Sequence, residues 1–216
     1  MDPLRVGVIT GGHTFDVINF HRLFRRLDDC DCYIQSLEDW SAGVRAVQDY
    51  DVLVFYNMHT DLPQDAPGGK ATRAAIDGLG QGEGIVLFHH AILAFKDDPV
   101  WDEIVGMTDR TIQAWSHDEQ LRLQIADPDH PITSGLGAFP LTDETYDFRD
   151  VSGEDSHILL TVDHPDSMST LAWTRMHNSS RVLNFVPGHD EAAWSSPAFQ
   201  TLLRRGILWA AGRNIT

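Results

Sequence analysis

The sequence predicts an α/β fold in which a parallel β-sheet carries helices on both faces. Three observations lead there. Short β-branched runs alternate with stretches of helical periodicity through residues 4–95. The run Asp51–Tyr56 (DVLVFY) is apolar without alternation, the pattern of a strand covered on both sides. Glycine clusters follow the runs, where strand-to-helix turns belong. Strands joined through helices in this way run parallel, with right-handed crossovers. The 216 residues fit a single domain, 1–216, with no repeat, low-complexity tract or linker dividing it. A domain of that size buries roughly 70% of the surface its unfolded chain exposes.

Leu4–Thr10 (LRVGVIT) is the first strand, ended by Gly11 and Gly12; Phe15, Ile18, Phe20, Leu23, Phe24 and Leu27 then recur at helical spacing. Cys32–Leu37 is the second strand and Asp51–Tyr56 the third. Thr72–Leu79 belongs to a helix halted by Gly78, Gly80, Gly82 and Gly84, and Ile85–Phe88 is a fourth, buried strand. Beyond Phe95 the pattern loosens. Asp98-Pro99, Asp127-Pro128 and His130-Pro131 mark turns between the shorter segments Arg110–Trp115 and Leu121–Ile125, which read as excursions laid over the sheet. Regular structure returns with Ile158–Val162, Thr170–Thr174 and Arg181–Val186. A closing helix from Pro197 to Ala211 then places Phe199, Leu202, Leu203, Ile207 and Leu208 on one face.

The net charge of −16 repels a phosphate backbone and an anionic membrane surface, so nucleic acid and membrane are not expected partners. Cys30 and Cys32 are two residues apart, a spacing of neither a redox pair nor a zinc knuckle, and a reducing cytoplasm is the expected setting. The longest charge-free apolar stretch, Gly84–Phe95, is too short to span a bilayer. A homo-oligomer is left open.

In a sheet of this kind ligands bind beyond the carboxyl ends of the strands. Four strands are followed within a few residues by histidine: His13 after the first, His59 after the third, His89 and His90 after the fourth, and His189 after Arg181–Val186. Imidazole suits such an edge, since it shuttles protons near neutral pH or ligates a borderline metal as a neutral base. One such histidine alone more often caps a loop; four on one edge make a site. His21, His117, His157, His164 and His177 lack that placement and read as surface or structural. Asp143-Glu144-Thr145-Tyr146 sets a carboxylate beside a phenol and by itself reads as a solvated loop. Several machines are excluded: there is no G-x-S-x-G elbow, no P-loop around Gly68-Gly69-Lys70, no G-x-G-x-x-G among Gly80, Gly82 and Gly84, and no H-E-x-x-H.

The order of Thr10-Gly11-Gly12-His13, Tyr50–Phe55, Gly84–Phe88 with His89-His90-Ala91, His130–Leu136, Asp143–Tyr146, Ala172-Trp173-Thr174-Arg175, and Arg181-Val182-Leu183 running into Gly188-His189-Asp190 with Trp194 resembles the ThuA-like, trehalose-utilisation family over nearly the whole chain. The resemblance implies a fold like that of class I glutamine amidotransferases, a flavodoxin-like three-layer α/β/α sandwich with a mostly parallel sheet. In those amidotransferases a cysteine occupies the elbow after the strand matching Ile85–Phe88. Here that elbow carries His89 and His90, so no thiolate nucleophile stands there. Where many relatives read Gly-Lys-Gly-Arg-Val, this chain has His177-Asn178-Ser179-Ser180-Arg181-Val182.

The function this implies is sugar utilisation, with a disaccharide or keto-sugar as substrate. His13, His89 and His189 are the candidate bases, acids or ligands, and Glu144 is their carboxylate partner. His59, His90, Tyr146, Asp190 and Trp194 are candidate substrate-binding or orienting groups, and Trp115, Trp173 and Trp194 are candidate stacking faces for a sugar. No cofactor is required; a divalent metal such as zinc on His13, His89 and His189 is the candidate. The rival readings are a non-catalytic sugar-binding or regulatory module on the same fold and a metal-dependent hydrolase with an unrelated substrate.

Overall fold

A computed structural model describes residues 2–43, 45–62, 68–148, 151 and 155–215. Among the described residues the chain forms nine strands, β1 (Leu4–Gly11), β2 (Cys30–Ser36), β3 (Val52–Asn57), β4 (Gly84–Phe88), β5 (Ala114–Ile125), β6 (Phe139–Asp147), β7 (His157–Thr161), β8 (Thr170–His177) and β9 (Ser180–Phe185). Six α-helices accompany them: α1 (Val17–Arg25), α2 (Leu37–Ala42), α3 (Gly69–Asp77), α4 (Pro99–Val105), α5 (Glu191–Trp194) and α6 (Pro197–Ala210), with a 3-10 turn at His89–Leu93. Helix starts follow side-chain caps: Asp16, Asp98, Asp190 and Ser196 each accept a hydrogen bond from a first-turn N–H, and Pro99 and Pro197 stand at the first turns of α4 and α6.

The strand order is β2-β1-β3-β4-β9-β8-β7-β5-β6. The β2, β1, β3, β4 and β9 neighbours pair in parallel. The β9, β8, β7, β5 and β6 neighbours pair antiparallel. The sheet is therefore mixed, which corrects the expectation of a mostly parallel one. The reason is connection length. Parallel neighbours need a crossover of a dozen or more residues, whereas β8 turns into β9 through Asn178 and Ser179 alone, with Asn178 at φ +50° as a tight hairpin demands.

Alternation along β3 shows both layers. Phe55 meets Trp40 of α2 and Trp101 of α4 edge-on, with ring centroids 5.4 and 5.0 Å away. Its neighbour Tyr56 points to the opposite face, against Phe20 of α1, Phe88 and Trp194. Val52–Tyr56 and Ile85–Phe88 are wholly buried, as their unbroken apolar character requires. Cys30 and Cys32 are free thiols whose register partners are Leu4 and Val6, at the amino end of the sheet.

Arg110–Trp115 and Leu121–Ile125 do not form separate segments. The second lies wholly in the twelve-residue strand β5, which among the described residues pairs with β7 through Gln124 and Ile125, and whose remainder pairs with β6 as a hairpin. Among the described residues no helix is long and apolar enough to cross a membrane.

Gly84 opens β4 directly beneath α6. A Cβ there would lie 2.7–2.8 Å from the backbone carbon and oxygen of Ala210, atoms that cannot swing aside. Gly84→Ala is expected to cost about 1–3 kcal/mol as overpacking, read as a lower urea midpoint with an unchanged m-value.

Candidate active site

The carboxyl ends of β1, β4 and β9 lie together, and the β5–β6 hairpin reaches back to them. The joint is Asp143. It falls on the buried side of β6, in period with Phe139, Leu141 and Thr145, and so must find partners inside the protein. Its Oδ1 accepts the N–H groups of Glu144 and His189, each at 2.9 Å, and its Oδ2 accepts that of Gly188 at 2.7 Å. Burial raises its pKa, against the pull of these bonds. The loop after β9 is closed by two further bonds: Trp194 Nε1 donates to the Gly188 carbonyl at 2.8 Å and Tyr56 Oη to that of His189 at 3.0 Å. Gly188 has φ +121°, and a Cβ there would strike Phe88 at 2.2 Å.

Glu144 and Tyr146, two residues apart on β6, face the same way and meet His89. The His89 backbone is left-handed, φ +55°, at the turn after β4. A non-glycine residue held there marks a site where the fold imposes strain. Its ring is fixed at one nitrogen: Nδ1 lies 2.9 Å from the Val186 carbonyl and donates to it. Nε2 then faces Glu144 Oε2 at 3.1 Å, His189 Nδ1 at 3.2 Å and Tyr146 Oη at 2.9 Å. Glu144 Oε2 also accepts from Tyr146 Oη at 2.7 Å and lies 3.2 Å from His189 Nδ1.

These contacts set the charges. Burial opposes ionisation of Glu144, but its contacts with His189, His89 and Tyr146 outweigh it and hold the carboxyl well below the usual range. The bond to Glu144 raises the His189 pKa. Burial and the Glu144 charge push the Tyr146 phenol up, keeping it a donor. Burial and the proximity of His189 and His89 lower the pKa of His13, a base in its neutral form.

Of the residues singled out from sequence, His13, His89, His90, Glu144, Tyr146 and His189 converge. His13 lies with its ring 4.8 Å from that of His90 and 6.0 Å from that of His189. His90 is buried against Tyr56, and neither of its ring nitrogens has a hydrogen-bond partner. His59 turns elsewhere, with Nε2 3.6 Å from Glu38 and its ring over Phe95. Asp190 caps α5 through the Ala192 N–H. Trp194 and Trp173 are buried core residues whose indoles bond to backbone carbonyls, so neither presents a face to a sugar. Trp115 does: it is 58% exposed, pairs across the hairpin with Tyr146, and touches His117.

Two residues of this cluster escape sequence reasoning. His117 belongs to the site, its ring 4.6 Å from that of His189 and its Nδ1 3.5 Å from Glu144 Oε1. The β5 register shifts between Ser116 and Glu119, and His117, itself exposed, lies within this irregularity. Asp143 is the other. A charged residue in step with Phe139 and Leu141 was the available signal. Among the described residues one cluster has donor atoms close enough to hold a metal ion: His89, Glu144 and His189. His13, named as a ligand from sequence, is not part of it.

The architecture is that of the glutamine amidotransferase type, with an imidazole–carboxylate cluster at the elbow. A glutamine amidotransferase from Thermotoga maritima superposes with a TM-score of 0.63 at 9% identity, covering 98% of this chain and 99% of that one. The chain belongs to the ThuA family, described as trehalose utilisation, whose model matches residues 20–210. A ThuA-like protein from Parabacteroides merdae has a TM-score of 0.79 at 22% identity, covering 100% of this chain and 92% of that one. Another from Bacteroides uniformis has 0.74 at 17%, covering 97% and 92%. No curated protein matches the sequence.

Asp143→Ala strips the acceptor from three N–H groups, two of them in the His189 loop. The expected loss is about 3–5 kcal/mol of stability, with hydrogen exchange at Gly188 and His189 accelerating more than at Val54 in the sheet centre.

Proposed function

We propose that this chain is an enzyme of sugar utilisation that acts on a trehalose-type disaccharide, or its keto form, by proton transfer at the Glu144 centre. The observation that carries the reading is the meeting of His89, His189 and Tyr146 on one carboxylate oxygen, with every contact between 2.7 and 3.2 Å. A module that only binds sugar has no need of such a buried, charge-coupled cluster; proton transfer does. A carbonyl acidifies the adjacent C–H, and His13, neutral because burial lowers its pKa, is the base that takes the proton. His189, whose pKa the bond to Glu144 raises, donates a proton to the enolate oxygen that forms, and the ionised Glu144 carboxylate supports that imidazole. Trp115 at the rim supplies the flat apolar face on which a pyranose stacks. The net charge of −16 favours an uncharged sugar over a phosphorylated one, and membership of a family described as trehalose utilisation supports the same substrate class.

The test offers trehalose and a keto-disaccharide to the purified protein and follows the anomeric and α-carbon protons by NMR. Turnover of the keto form is expected, falling by about 10²-fold or more in Glu144→Gln. Trp115→Ala is expected to raise KM by up to about tenfold with kcat retained. Calorimetric binding of either sugar without turnover would make the protein a binding module and end the enzymatic reading.

A further inference from the structure

His89 Nε2, Glu144 Oε2 and His189 Nδ1 stand at the corners of a nearly equilateral triangle with sides of 3.1, 3.2 and 3.2 Å. Ligand atoms bound at 2.0–2.1 Å to a divalent transition metal lie about 3.0 Å apart in octahedral geometry and about 3.4 Å apart in tetrahedral geometry. The observed sides fall between. An ion at that bond length from all three atoms would sit roughly 0.9 Å out of their plane, with further positions open for water or a substrate oxygen.

Proton bookkeeping points the same way. Because His89 Nδ1 donates to the Val186 carbonyl, the neutral ring presents a lone pair at Nε2. Glu144 Oε2, His89 Nε2, His189 Nδ1 and Tyr146 Oη make five contacts among themselves within 3.2 Å. With neutral rings only Tyr146 and His189 can supply protons there, and two protons make two good hydrogen bonds. A cation in the triangle turns three of the five into ligand–ligand separations, and the Tyr146 hydroxyl then serves Glu144.

The surroundings match what metal ligands require. A ligating histidine donates its other N–H to a carbonyl or carboxylate, which fixes tautomer and ring direction; His89 does so to Val186. Glu144 has Tyr146 at its ligand oxygen and His117 by the other, and the His189 backbone is pinned by Asp143. Two imidazoles and one glutamate are a donor set that zinc takes in hydrolytic enzymes, leaving a position open.

We infer that His89, Glu144 and His189 bind one divalent first-row transition metal ion, zinc being the best match, at the centre proposed above; its catalytic use rests on that reading, its binding does not. The experiment takes protein purified without a histidine tag, strips it with a chelator and titrates it with Zn²⁺ against a chromogenic competitor. One equivalent is expected to bind. Glu144→Gln and His189→Gln are expected to weaken binding at least tenfold with unchanged circular dichroism, while His59→Ala, whose ring lies by Glu38, binds as the parent does. In case a variant does not fold, ¹⁵N imidazole spectra of the unmodified protein locate the ion. Zinc should shift Nε2 of His89 and Nδ1 of His189. Absence of stoichiometric binding, equal affinity in both ligand variants, or shifts confined to His13 and His117 would overturn the site. Undiminished sugar turnover by stripped protein would overturn the metal's catalytic use, and zinc bound by a protein that turns over no sugar would overturn the sugar reading alone.

Discussion

The Asp143 carboxylate holds the two halves of the molecule in register. The parallel half delivers His13, His89 and His189 to one sheet edge, and the antiparallel half delivers Glu144, Tyr146 and His117 on a hairpin whose ladder pairing with β7, among the described residues, is at Gln124 and Ile125. Beyond that ladder its position comes from buried side chains such as Leu123 and Leu141 and from bonds such as that of the Met168 N–H to the Tyr146 carbonyl. Two short bonds, from the Gly188 and His189 backbone N–H groups to the Asp143 carboxylate, tie it to the loop after β9. Because side chains alternate along a strand, fixing Asp143 inward also fixes Glu144 toward His89.

The second constraint is the elbow after β4. A left-handed histidine at that turn is costly by itself and persists because both sides of the ring are engaged, by Val186 at one nitrogen and by Glu144 at the other. The resemblance to amidotransferases places a cysteine at this elbow in those enzymes. In this chain the elbow aims an imidazole nitrogen at a carboxylate, and the two cysteines lie at the other end of the sheet.

Much of this was legible in the sequence, for definite reasons. Val52–Tyr56 and Ile85–Phe88 are unbroken apolar runs because both faces are covered, and the histidines of one edge announce themselves by following such runs. The sense of the later strands was not legible from their composition; it depends on a two-residue turn, Asn178-Ser179, in a segment where strands and loops look alike. β5 hid for another reason. Its exposed face is polar, His117-Asp118-Glu119-Gln120 interrupts any alternation, and the bulge that carries His117 breaks the period by which a strand is recognised. Asp143 was concealed by its neighbour, since a run of Asp, Glu, Thr and Tyr suggests a wet loop until the apolar partners two residues apart are counted. Trp194 was misread in the opposite direction, as a ring that follows a site histidine but belongs to the core.

The place of the β5–β6 hairpin at the end of the strand order separates two evolutionary tasks. The β4 elbow and the β9 loop are embedded in the central packing, where a single added methyl at Gly188 meets Phe88, so little can vary there without loss of the fold. Trp115 and His117 sit on a ribbon whose outer face touches solvent and whose register tolerates an irregularity. Substitutions or length changes in that ribbon can reshape what the mouth of the site accepts while the buried centre stays as it is. Within this family, divergence in substrate should therefore be written in the hairpin, and constancy of chemistry in the elbow.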